Sequence, residues 1–327
     1  MPKTSEVYKK LYHYTTWEGL QGILENQTLW ATNYKFLNDY SEIVLFRDKL
    51  ISFINPHVHE AFEKLIKQSP PVEQKIIDEG GIDQVVQNDA EVIVDSQYHA
   101  LGDEIYILSF CGQHEDDKVN NNGLLSQWRG YGEGGGAVLV FDTKKLEEII
   151  EVEIKRFQYD IVLLADLVYS DNEQKFKEEL SDEISIIADT VKQFFNLTNL
   201  GGKEEDVFSK GYIPFVKCIS RYKHFGFSEE NEVRVVALPT TIHQKLLKLA
   251  KANGVKLKPE KERKFRQKNE LSIPYIELFN SSDIELPIEK IIVGPHKEKD
   301  ARVTELCTKL GKTNIEITCS EIPYADY

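Results

Sequence analysis

The chain has 327 residues, 41% hydrophobic and 29% charged, the composition of a globular protein with a full core in one large domain or two ordinary ones. Its 40 Lys and Arg stand against 54 Asp and Glu, a net charge of −14, so most of the surface repels phosphate backbones and general duplex binding is disfavoured. No apolar run approaches the ~20 residues that span a bilayer, and Met1 to Glu6 lacks the apolar core of a signal peptide. A cytoplasmic protein without membrane contact is expected. Cys111, Cys218, Cys307 and Cys319 lie far apart with no CxxC pair, which predicts reduced thiols and neither a zinc site nor a disulfide framework.

Leu11-Tyr12-His13-Tyr14 is short, aromatic and strand-like, with alternate residues facing opposite sides. Thr15 and Glu18 stand at capping-box spacing. Behind them Trp17, Leu20, Ile23 and Leu24 fall on one helical face, and Asn26-Gln27 closes that helix. Residues 28–31 predict a second strand. Asn38-Asp39 opens another helix, Asp39 and Glu42 again at capping-box spacing. From about 56 to 100 the pattern is helical, broken at Ser69-Pro70-Pro71 and at Gly80-Gly81. A strand over 105–110 leads to a polar loop over 115–122, the segment 124–131 and a glycine-dense stretch, Gly132-Glu133-Gly134-Gly135-Gly136, read as a hairpin-like turn. Residues 137–141 predict a buried strand, 143–150 a short helix, and 152–157 and 161–169 two strands. Helical periodicity returns over 172–195 and 204–225, split by Gly201-Gly202. A strand over 232–238 ends at Pro239. A helix over 243–252 and a charged stretch precede a strand over 273–279, and the chain closes strand–helix–strand over 291–293, 301–310 and 315–318. Strands and helices mix without a regular βαβ cadence. The expected fold is a single α+β domain over 1–327 with a mixed, mostly antiparallel central sheet and helical insertions near 55–100 and 172–225.

Each residue able to carry chemistry also has a plain structural role. Glu230 and Glu232 are two apart on one strand face, while an ion pair between Glu232 and its neighbour Arg234 is equally expected. His13, between two tyrosines, reads as a half-buried histidine making one hydrogen bond. Thr15 is expected to cap the first helix, and Asn38 and Asp39 to serve as turn and cap residues. Trp128 and Tyr131, at i and i+3, read as packing residues. The glycines at 132–136 lack the following helix of a phosphate loop. There is no Gly-x-Ser-x-Gly elbow and no protease-type cysteine context. His57 and His59 face different directions on a helix, and His114 with Glu115-Asp116-Asp117 reads as a solvated acidic loop, so no metal is expected. Lys256, Lys258, Lys261, Arg263, Lys264, Arg266 and Lys268, against Glu260 and Glu262, form the one strip where this acidic chain could touch nucleic acid or an acidic partner. A solvated charged loop is its ordinary reading.

Several segments in order resemble a bacterial domain-of-unknown-function family: Tyr12 to Thr15, Asn38-Asp39 with Glu42, Ser109-Phe110-Cys111, Trp128 with Tyr131, Glu230 with Glu232 and Arg234, Val293-Gly294-Pro295, and Ser320 to Tyr324. More distantly, the His-x-Thr strand, the helix and small strand after it, and a Glu ahead of a late strand resemble the layout of the ADP-ribosyltransferase fold. That resemblance implies NAD as substrate and an NAD-consuming transferase or glycohydrolase, of the kind found among bacterial toxins and antiphage-defence effectors. It implies Glu232 stabilising the oxocarbenium-like ribose and Glu230 activating an acceptor. His13 would donate to a ribose hydroxyl, Thr15 would bind a polar group of the dinucleotide, and Trp128 or Tyr131 would stack on nicotinamide. Ser109 and Arg234 complete the implied nucleotide-binding set, with no metal and an unidentified macromolecular acceptor. Two other classes stay open: a non-catalytic nucleotide-binding or protein-interaction domain on the same scaffold, and a nucleic-acid-targeting effector using 256–268.

Overall fold

The computed structural model describes residues 3–37, 41–100, 104–198, 205–311 and 313–323. Asn38, Asp39, the Gly201-Gly202 break and Tyr324 lie outside the described residues. The strands are β1 (Lys10–Thr15), β2 (Leu29–Asn33), β3 (Tyr106–Gly112), β4 (Ala137–Asp142), β5 (Tyr159–Asp166), β6 (Val168–Tyr169), β7 (Tyr222–Lys223), β8 (Glu232–Pro239), β9 (Lys264–Lys268), β10 (Leu271–Leu278), β11 (Ile288–Val293) and β12 (Glu316–Cys319). The helices are α1 (Thr4–Val7), α2 (Trp17–Asn26), α3 (Ser41–Gln68), α4 (Pro70–Asp78), α5 (Ile82–Ala100), α6 (Asp117–Asn122), α7 (Leu125–Tyr131), α8 (Thr143–Arg156), α9 (Glu173–Thr198), α10 (Glu205–Ile219), α11 (Gln244–Ala252) and α12 (Lys299–Leu310). None of the described helices is long and apolar enough to cross a membrane.

Two compact units divide the chain. The first comprises Met1–Phe36, Tyr106–Leu167 and Phe227–Tyr327, the second Leu37–Ile105 and Val168–Gly226. The second unit holds the long helices α3, α4, α5, α9 and α10 with the two-stranded parallel ladder β6–β7. Aromatic rings fill its interior: Phe46 lies 5.5 Å from Tyr222, 6.4 Å from Phe215 and 6.5 Å from Phe176, separations at which ring pairs add to plain area burial.

The first unit is organised by an open 10-stranded sheet that is antiparallel except at β11–β12. Its main path runs β12-β11-β4-β1-β3-β2-β10-β9, and β8, then β5, extend from the other edge of β3. Strand alternation separates two faces. One carries Leu11, Leu29, Ala31, Leu108, Phe110, Leu139, Val233, Val235, Ile276 and Ile291 in the larger core, packed by Leu20 of α2 and Leu306 of α12. The other carries Tyr12, Tyr14, Cys111, Val138, Val140 and Ile292, closed by Trp128.

Several local expectations change. Thr16, not Thr15, caps α2, its hydroxyl accepting the Gly19 amide at 3.1 Å, because β1 stays paired with β4 through Thr15 and the chain leaves the sheet one residue later. Residues 152–157 are not a strand: α8 runs on to Arg156, since Leu146, Ile150 and Glu153 continue one buried stripe at helical spacing. The polar loop contains α6, capped by Asp116 on the Lys118 amide. No hairpin forms at 132–136. α7 passes through a short 3-10 turn straight into β4, and the glycines are needed for close backbone packing, because a Cβ on Gly136 would collide with the Thr15 carbonyl and one on Gly294 with the Gly135 carbonyl. The charged stretch before 273 contains the strand β9, hydrogen-bonded to β10 along its whole length.

Candidate functional site

The sequence-predicted residues converge on β3. β1 pairs with β3 only at Leu11–Gly112 and Tyr12–Cys111, and β2 takes over the same edge at Thr32–Ile107 and Asn33–Tyr106. Between these points the sheet forks, and Leu108, Ser109 and Phe110 have no ladder partner on that side. His13 fills the gap, its Nδ1 lying 3.0 Å from the Ser109 carbonyl oxygen and its ring 5.6 Å from Phe110. A carbonyl only accepts, so Nδ1 carries the proton and Nε2 of the neutral ring is an acceptor. The ring is half-buried.

Burial pushes the His13 pKa below the usual histidine value, against the raising effect of the Ser109 carbonyl. Neutral His13 is therefore favoured in the folded chain. Its contribution to stability is complete above the unfolded-state value near 6.5 and is lost as pH falls from there towards the depressed folded value. Unfolding midpoints of the wild type are expected to drop between pH 7 and pH 5 more steeply than those of His13→Gln. Parallel curves for the two proteins would refute the assignment.

On the far edge of β3, Cys111 pairs with Glu232 and Ser109 with Arg234. Glu232 and Arg234 share a face, and their side chains lock together: Arg234 Nε donates to Glu232 Oε1 at 2.7 Å and Nη2 to Oε2 at 3.1 Å. Both side chains are only 5% exposed. Of the two expectations for Glu232, the ion pair is the arrangement found, though on a buried rather than a partly exposed strand face. The bidentate geometry is the strong form of such a contact.

His13, Ser109, Glu232 and Arg234 thus occupy one level of three adjacent strands. They are not on one face. Register sets His13 opposite Leu139, on the side of Leu11 and Phe110, whereas Glu232 is level with Cys111 and Tyr12 on the other side. Glu230 ends the turn before β8 and is partly exposed. Thr15 lies at the end of β1, its hydroxyl against Gly19.

Trp128 and Tyr131 separate in role. Trp128 is 1% exposed, stands edge-on to Tyr14 at 5.2 Å and donates Nε1–H to the Asn122 carbonyl, so its ring faces are occupied by the core. Tyr14 in turn accepts the Leu124 amide at 2.8 Å, and burial raises its phenol pKa. Tyr131, three residues on, is 41% exposed.

The basic strip at 256–268 is largely built into the fold. Lys261 is 2% exposed, with Nζ 2.6 Å from Glu153 Oε1, 2.9 Å from Asn280 and 3.9 Å from the Phe157 ring centroid. Burial lowers its pKa, and Glu153 opposes that shift. Lys264 pairs with Glu277 at 2.9 Å, Arg263 donates to the Pro239 carbonyl and the Thr241 hydroxyl, and Lys258 donates to the Ile154 carbonyl.

Sequence reasoning did not single out Trp30, Tyr275 or Arg266 as a group. Trp30 and Tyr275 lie with ring centroids 4.4 Å apart and their planes tilted by 33°, and the Arg266 guanidinium lies 5.7 Å from the Trp30 ring. The only sequence signal is a tryptophan at an outward-facing strand position. Among the described residues no cluster of three or more His, Cys, Asp or Glu is arranged to hold a metal ion.

A family model described as Protein of unknown function (DUF2971) matches residues 127–235, about one third of the chain. The match supports the resemblance to a domain-of-unknown-function family over those residues. None of the curated proteins and none of the solved structures compared matches the chain.

Proposed function

We propose that this chain is a non-catalytic nucleotide-binding domain, with an adenine dinucleotide or its ADP-ribose part held at the fork beside His13. The observation that carries this reading is the state of Glu232. Both of its carboxylate oxygens are taken by Arg234 in a buried pair, on the sheet face opposite His13. A carboxylate that stabilises an oxocarbenium ion must reach the sugar from the side that also orients it, and this one is neither exposed nor on that side. The fork supports binding: it interrupts the ladder and presents a neutral histidine whose Nε2 can accept from a ribose hydroxyl.

Purified protein incubated with NAD⁺, with and without cell lysate, is expected to release no nicotinamide by mass spectrometry. Calorimetric titration with ADP-ribose is expected to show binding that weakens at least tenfold in His13→Ala. No binding of ADP-ribose by the wild type would overturn the proposal.

A second reading is an NAD-consuming transferase or glycohydrolase acting through Glu230. It is favoured by one observation, the partial exposure of Glu230 next to β8. Nicotinamide release lost in Glu230→Gln, with circular dichroism matching the wild type, would establish it.

A further inference from the structure

We propose a second ligand site on the face of β2, β10 and β9 that carries Trp30, Tyr275 and Arg266, which takes a free mononucleotide: a planar base carrying one phosphate. The register places these side chains together. Trp30 is opposite Glu277, Thr32 opposite Tyr275, and Tyr275 opposite Lys264, so strand alternation brings Trp30, Thr32, Tyr275, Glu277, Lys264 and Arg266 to one face. The core-side residues of the same strands, Leu29, Ala31, Ile276 and Leu278, are on the other.

The aromatic half of the site is preassembled. Tyr275 is 8% exposed and backs Trp30, which keeps 43% of its surface open to solvent. A large aromatic ring backed by a second ring and still partly open to solvent can stack a planar heterocycle.

The cationic half lacks an anion. Arg266 has one hydrogen bond among the described residues, a long 3.3 Å contact from Nη2 to the Thr32 hydroxyl. Its Nε is buried without a partner, and no carboxylate of the described residues pairs with it, whereas Lys264 on the same strand is neutralised by Glu277. Burial works against the guanidinium charge here, with only Tyr275 favouring it. A half-desolvated guanidinium whose buried Nε has no partner is costly unless an anion completes it.

One uncompensated cation matches one phosphate group. A nucleic-acid strand would need a row of free cations, and the neighbouring Lys261, Arg263 and Lys264 are engaged within the fold.

The test is calorimetric titration of the full chain with AMP and with UMP, beside adenosine, inorganic phosphate and a short single-stranded oligonucleotide. AMP is expected to bind. Trp30→Ala should weaken AMP and adenosine alike by tenfold or more, and Arg266→Gln should weaken AMP at least tenfold while leaving adenosine nearly unchanged. Trp30→Phe keeps a ring at the site and should retain most of the affinity, which separates lost stacking from lost fold. Phe265→Ala, an exposed change on the opposite side of β9, should leave AMP binding as it was. The site is independent of the fork, so His13→Ala should also leave it intact. No AMP binding at millimolar concentration, or binding untouched by Trp30→Ala and Arg266→Gln, overturns the proposal. So does loss in His13→Ala, or an oligonucleotide that binds more tightly per nucleotide than AMP through the same residues.

Discussion

Lys261→Met is expected to lower the unfolding free energy by about 3–5 kcal/mol, the usual cost of removing one partner from a buried ion pair. The methionine fills similar volume but gives up the cation–π contact with Phe157 and the hydrogen bond to Asn280, and the larger loss comes from Glu153. That carboxylate, 1% exposed, also accepts the Tyr159 hydroxyl at 2.7 Å and the Phe279 amide at 3.2 Å, but without Lys261 its charge is buried unneutralised. The Glu153 hydrogen bond to Tyr159 and the negative charge beside it add to burial in raising the Tyr159 phenol pKa. Denaturant titration of Lys261→Met and of Lys261→Met with Glu153→Gln checks the mechanism. The double variant should recover a substantial part of the loss, since neither charge is then left behind. A double variant as unstable as the sum of the two single changes would mean that the residues act independently, and a Lys261→Met loss under 1 kcal/mol would mean that the pair is solvated.

Glu232→Gln is expected to destabilise the chain by a similar amount, about 3–5 kcal/mol, since it removes the charge of one partner from the buried bidentate pair with Arg234. Arg234→Met should cost as much from the other side. Glu232→Gln combined with Arg234→Met should be nearer the wild type than either, measured by the denaturant midpoint. This result bears on function. A Glu232 variant that loses an activity through unfolding imitates a catalytic defect, so the Glu230 and His13 variants are the informative ones for NAD chemistry. If Glu232→Gln proved as stable as the wild type, Arg234 would hold another compensating partner, and Glu232 would return as a candidate for a functional carboxylate.

Much of the fold is legible in local patterns, because they follow short-range rules. The β1–α2–β2 opening follows from an aromatic strand, a threonine cap and the Trp17, Leu20, Ile23, Leu24 stripe; the short apolar runs of β4 and β8 read as buried strands for the same reason. The errors are also local. At 152–157, β-branched and aromatic residues suggested a strand, but the helix runs on to Arg156, and Glu153 on its buried stripe meets a buried lysine more than one hundred residues away, a contact absent from any window of sequence. At 132–136 the glycines signalled a turn correctly but not its type, since what demands them is the approach of Thr15 and Gly294 from distant strands.

The candidate residues divide in the same way. The chemistry of His13, Ser109, Glu232 and Arg234, and the two-residue spacing that puts Glu232 and Arg234 on one face, are properties of the sequence alone. Which face that is relative to His13 depends on how β1 and β8 register on β3, and only the tertiary structure decides it. The same holds for Trp30, Tyr275 and Arg266, whose sequence separations hide a single group. Composition and periodicity determined that this is an acidic α+β chain with a mostly antiparallel sheet, because burial of apolar residues at periods of 2 and 3.6 is a local signal. The fork at β3, the burial of Lys261 and the pairing of Glu232 arise from strand pairings between remote segments, and long-range pairing is decided by packing energy that no local pattern encodes.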